Sequence, residues 1–191
     1  MLKAMTYHHG DLRRAMLDAT AAEAAKVGVE ALSLRALARS LGVTHAAIRH
    51  HFSDKRGLLT ALATEGYEQL AAHLRPICPD PIEAGMAYIE WMLEKSGHFE
   101  VMFKPALVNT KDPNLLVALA KMRAVLAQTA SEDAAEEGQR AQFSQRARAA
   151  WSIAHGYATL AVSGVFGPFD PAQARATILL LADGMSRPAR S

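Results

Sequence analysis

Apolar residues recur along this chain three and four positions apart, and no run of β-branched residues alternates with polar ones. The pattern predicts helices and almost no strand. Alanine, leucine and arginine, all good helix formers, dominate it. Turn-forming clusters interrupt it at residues 28–33, 41–44, 52–54, 75–81, 96–97, 105–113, 137–140 and 167–171. The expected fold is therefore all-α, with about nine helices. Asp11 is placed to cap the first helix and Gly28 to end it. Ser33 and Thr44 are placed to cap the next two, and Ser53 or Asp54 to open a fourth that runs to about residue 75. Asp112-Pro113 reads as an N-cap followed by proline in the first helical turn. The expected organisation is an N-terminal domain over 1–54 and a helical domain over 55–191, linked by helix four. The proline-rich stretch 76–81 is the sharpest break in composition.

Residues 149–169 contain no Asp, Glu, Lys or Arg. That is long enough to span a bilayer. Yet His155, Ser152, Thr159, Ser163, three glycines and Pro168 interrupt it, and no aromatic belt flanks it. A helix apolar all round because it is buried all round fits better. No membrane association is expected. Ile153, Tyr157, Leu160 and Gly164 form one apolar stripe. The last helix repeats this two-sided character at Ile178, Leu181 and Met185. One face serves the domain's own core, and the other needs a partner. A second copy of the chain would complete a four-helix bundle across a two-fold axis, so these seven residues are the expected dimer interface.

Residues 33–52, SLRALARSLGVTHAAIRHHF, read as a short helix, a Gly-centred turn and a second short helix. Leu34, Leu37, Ala38, Leu41, Val43, Ala47, Ile48 and Phe52 point inward on this reading. Thr44, His45, Ala46, Arg49 and His50 point outward, and short or planar donors of this kind suit groove edges and phosphates. Arg35, Lys55 and Arg56 flank them, and a lysine at the start of the next helix makes a phosphate seat. Charge sharpens the picture. Residues 1–60 hold nine Lys/Arg and five Asp/Glu, whereas residues 77–191 hold eleven and twelve. A basic first third on a near-neutral remainder points to a polyanionic partner.

These residues resemble a family. Residues 7–62 are similar to the N-terminal DNA-binding domain of TetR-family transcriptional regulators. The similarity runs through Gly28, Ser33-Leu34-Arg35, Ala38, Gly42-Val43-Thr44, His51-Phe52 and Lys55 before Leu58-Leu59. Trp151, His155 and Gly156 resemble the C-terminal motif of the subgroup named for Trp, His and Gly. The resemblance implies an all-α homodimer with three DNA-binding helices, a dimer interface on the last two helices and a pocket for a small ligand. It implies a transcriptional regulator, expected to repress, that binds double-stranded DNA at a near-palindromic operator and is released by a small hydrophobic ligand. Carried over by motif position, the DNA contacts are Arg35, Thr44, His45, Ala46, Arg49, His50 and Lys55. The family most often has tyrosine where this chain has Arg49, whose guanidinium can take a phosphate or a guanine edge.

The remaining features change little. Apolar residues make up 50% and charged residues 21% of 191, which excludes a disordered chain. Met86, Trp91, Met92, Phe99, Met102, Phe103, Trp151 and His155 read either as core or, as a group, as the lining of an apolar pocket with His155 as its polar anchor. One cysteine, Cys78, excludes an intramolecular disulfide and suits a reducing, cytoplasmic setting. Residues 1–14 lack the apolar core of a secretory leader. Adjacent histidines chelate poorly and the acidic run at 132–137 has no histidine nearby, so no metal and no cofactor is expected. No nucleophile–base pair or paired carboxylates suggest an enzyme. The competing reading is a dimeric helical scaffold or small-molecule binder that leaves DNA alone. The basic cluster around one turn argues against it.

Overall fold

The computed structural model describes residues 9–78, 80–128 and 145–186, with side chains assigned except at 9–11, 146 and 181–186. Within these residues the fold is all-α. The helices are α1 (His9–Val27), α2 (Leu34–Ser40), α3 (His45–Phe52), α4 (Lys55–Leu74), α5 (Pro81–Glu94), α6 (Ser96–Met102), α7 (Pro113–Gln128), α8 (Gln145–Val162) and α9 (Pro171–Ser186), with a 3₁₀ turn at Pro105–Leu107. Caps account for many of the ends. Ser33 Oγ accepts from Ala36 N–H at 3.4 Å, and Thr44 Oγ1 accepts from Ala47 N–H at 3.2 Å. Asp54 Oδ1 accepts from Gly57 N–H at 2.8 Å, and Asp112 Oδ1 takes the N–H groups of Asn114 and Leu115. α1 already runs from His9, two residues before Asp11. The acidic run 132–137 lies outside the described residues.

The contacts draw two compact units that differ from the boundary expected at residue 54. The first comprises Met1–Gly66 and Lys95–Leu116, the second Tyr67–Glu94 and Val117–Ser191. In the first, α6 packs on α1. Met16, Leu17, Val29, Leu37, Ile48, Phe52, Leu58, Leu62, Val101 and Met102 are all buried there. The reason α6 belongs to it is Gly97, which the sequence pattern placed at a break. The break falls at Lys95 instead, and Gly97 is buried inside α6. A Cβ at Gly97 would lie 1.9 Å from the carbonyl oxygen of Ala21 on α1. The glycine permits close backbone approach.

In the second unit α5 packs on both α8 and α9, and Tyr88, Ile89 and Met92 are fully buried. The uncharged run 149–169 is not one helix: α8 ends at Val162 and turns follow. No helix among the described residues is long and apolar enough to cross a membrane.

Candidate functional site

The α2–turn–α3 segment presents one wet face. Leu37, Ala38, Ile48 and Phe52 are buried, while Leu34, Leu41, Val43 and Ala47 are half-buried. The turn closes through Val43 N–H to Ala38 O at 2.9 Å, with Gly42 at φ +64°, a conformation that favours glycine. Burying one side of α3 leaves Thr44, His45, Ala46, Arg49 and His50 exposed together, with Arg35 exposed on α2. Six of the seven DNA-contact candidates are therefore exposed.

The seventh, Lys55, sits differently. Lys55 is half-buried, and its Nζ donates to the carbonyls of Glu30 at 3.1 Å and Leu32 at 2.7 Å. These carbonyls lie in the α1–α2 connection and need donors. The ammonium thus ties α4 to that connection. Arg56 likewise donates to Ala106 O at 3.0 Å.

Sequence reasoning missed Glu65 on α4. Arg14 of α1 binds both Asp18 and Glu65, and His98 Nε2 of α6 donates to Glu65 Oε1 at 2.9 Å. One carboxylate therefore joins three helices. Burial pushes the Glu65 carboxyl up, but the hydrogen bonds from His98 and Arg14 outweigh it and hold it below the ordinary range. The signal was present: Glu65 is the only charge between Arg56 and Glu68.

The eight pocket candidates divide between the units. Phe99, Met102 and Phe103 belong with α6 in the first, where Phe99 and Met102 are buried and Phe99 meets Phe103 edge to face. Their burial follows from the packing of α6 on α1. In the second unit Trp91 and Met92 are core, and Met86 borders a groove of about 610 Å³ with Ile77, Glu83, Glu90, Pro171 and Arg175. Trp151 borders a cavity of only about 20 Å³. His155 enters a relay instead: Trp151 Nε1–H donates to Tyr88 Oη at 3.1 Å, and Tyr88 O–H donates to His155 Nδ1 at 2.9 Å. Burial raises the Tyr88 hydroxyl's pKa and lowers that of His155, so the neutral imidazole accepts.

That relay predicts a pH dependence. A histidine depressed in the fold takes up its proton more readily when unfolded, so its contribution to stability is present above about pH 6.5 and is lost on acidification. His155→Gln can still accept from Tyr88 but does not titrate. Denaturant unfolding across a pH series should show a shallower loss in the variant; equal slopes would refute the assignment.

Of the dimer candidates, Ile153 and Tyr157 are half-buried, and Leu160 and Gly164 are exposed. Ile178 is corrected: it is buried in its own unit, where its Cδ1 would lie 3.2 Å from a Cβ at Gly85 of α5. Among the described side chains of α9, Leu179 and Leu180 are exposed. The side chains of Leu181 and Met185 lie outside the described residues. Those described contain no group of three or more His, Cys, Asp or Glu able to hold a metal.

Comparison with known proteins agrees at both ends of the chain. Residues 16–62 match the profile "Bacterial regulatory proteins, tetR family". Residues 82–183 match "Tetracyclin repressor-like, C-terminal domain". The HTH-type transcriptional regulator BetI of Cronobacter sakazakii is 37% identical over 81 residues, which span 40% of each chain. The HTH-type transcriptional repressor Rv1474c of Mycobacterium tuberculosis is 38% identical over 72 residues, 38% of each. The match thus spans about two fifths of these curated relatives. A solved protein of unknown function from Rhodococcus sp. RHA1 is 28% identical with a TM-score of 0.71, covering 94% of this chain and 96% of that one.

Proposed function

Because the chain belongs to the TetR family of bacterial regulatory proteins, we propose that it is a dimeric transcriptional repressor that reads DNA with α3. The observation that carries this is the exposure of Arg35 on α2 together with Thr44, His45, Ala46, Arg49 and His50 at α3, while Ile48 and Phe52 of α3 are buried. Two protomers place their α3 helices in major grooves about 34–36 Å apart, or a multiple of that, on a near-palindrome. The pairing surface is the apolar face of α8 and α9 with the turn after α8, where Leu160, Val165, Phe166, Leu179 and Leu180 are exposed.

A small hydrophobic ligand, bound in the second unit, releases the DNA by favouring a form that cannot bind it. Moving the equilibrium from 1:99 to 99:1 needs about 5.5 kcal/mol of differential affinity. The groove beside Met86 supports such a site more than the packed cluster of Trp91 and Met92 does. Membership of the subgroup named for Trp, His and Gly is supported by the Trp151–Tyr88–His155 relay, which uses two of the three motif residues.

The test is selection from a pool of random-sequence DNA duplexes. Enrichment of a two-fold symmetric motif is the expected result. His45→Ala should relax preference at one base position, at about 1–3 kcal/mol per half-site. Failure to enrich any sequence would return the scaffold reading.

A further inference from the structure

Several cations of the first unit are already engaged. Arg14 is neutralised by Asp18 and Glu65, and Lys104 by Glu30 and Glu100. Lys55 and Arg56 donate to backbone carbonyls. Arg13, Lys26, Arg35, Arg39, Arg49 and Lys111 are exposed and have no carboxylate partner among the described residues. Three of these lie on α2 and α3. The others lie outside the helix-turn-helix segment, Arg13 and Lys26 on α1 and Lys111 before α7, and of these Arg13 stands over an aromatic ring.

Arg13 is nevertheless attached to the reading helix. Its guanidinium carbon stands 5.2 Å from the centre of the Phe52 ring, and Phe52 is the last residue of α3. The ring is itself buried, so the platform is rigid. A cation–π contact uses none of the guanidinium's N–H groups as hydrogen-bond donors and leaves them to bind an acceptor. It also orders a long side chain in advance, which lowers the entropic cost of a later contact. A cation that is fixed, exposed and uncompensated is suited to a phosphate. Base readers lie toward the N-terminal end of such a helix, whereas Phe52 closes the other end.

We propose that Arg13, held on Phe52, is a contact to the DNA backbone. This rests on the DNA-binding reading above. The test uses the full chain and the duplex enriched by the wild type, with affinity measured over a range of salt concentrations. Each lost phosphate contact removes about 0.9 from the log–log slope. Arg13→Gln should therefore lower the slope by about 0.9 per protomer and weaken binding about tenfold at moderate salt, with base preference unchanged. Arg13→Lys keeps the charge and should keep the slope while losing a few-fold in affinity. Arg123→Gln removes the same charge from α7 and should leave the slope alone. A wild-type slope in Arg13→Gln overturns the proposal. So does a slope in Arg13→Lys as low as in Arg13→Gln, which would mark a structural effect. A wild type whose DNA binding ignores salt would instead defeat the parent reading, and this one with it.

Discussion

Replacing Leu180 by glutamate is expected to leave a folded monomer of about 20.6 kDa that has lost tight operator binding. Leu180 is 75% exposed and Leu179 49% exposed in the protomer, so the substitution disturbs no packing within it. In the dimer the same carboxylate would be buried against an apolar face without a partner, which costs several kcal/mol. Uncoupling the two reading heads removes the gain from simultaneous engagement, about 10²–10⁴ in affinity. Sedimentation and thermal melting read the first effect, and titration of the selected duplex the second. A wild type that sediments as a monomer, or a variant that still pairs, would contradict the assignment of this face. Ile178 is the wrong place for that experiment, because a charge there enters the protomer's own core.

A second large effect is expected at Gly97. Alanine would place its Cβ 1.9 Å from the Ala21 carbonyl oxygen, 2.6 Å from its carbon and 3.0 Å from its Cα. All three are backbone atoms in the middle of α1, so neither side yields cheaply. The expected cost is about 3 kcal/mol, the upper end for overpacking. Gly156→Ala is the counterpart: nothing lies within 4 Å of a Cβ there, and alanine should gain up to about 1 kcal/mol from helix propensity. Both changes should be measured by urea unfolding in the Leu180→Glu background, so that dimerisation does not enter. Equal stabilities would show that α6 does not rest on α1 as described.

Much of this was legible in the sequence, and the failures share a cause. The helices and their caps at Ser33, Thr44, Asp54 and Asp112 are local, set by residues a few positions apart. The face of α3 was equally legible, since burying Ile48 and Phe52 decides where His45 and Arg49 point. Gly97 looks like a breaker because its real neighbour, Ala21, is remote in the chain. The tie from Lys55 to the carbonyls of Glu30 and Leu32 was not legible, because those carbonyls carry no signature in the sequence. Ile178 and Leu180 are both apolar on an apolar helix, and only the packing of α5 against α9 tells them apart.

The attachment of Lys95–Leu116 to the first unit bears on how such reading heads can be exchanged. A chimera that transplants residues 1–54 onto another chain of this fold would carry Ala21 and Glu30 but leave Gly97 and Lys104 behind. It would also separate Arg14 from Glu65, and Lys55 from the carbonyls it satisfies. The recipient would have to offer a glycine at the α6 crossing and a carboxylate at the α4 position, or the graft would sit on a mismatched seat. The transplantable piece is discontinuous, 1–66 together with 95–116, and a cut between α3 and α4 divides it.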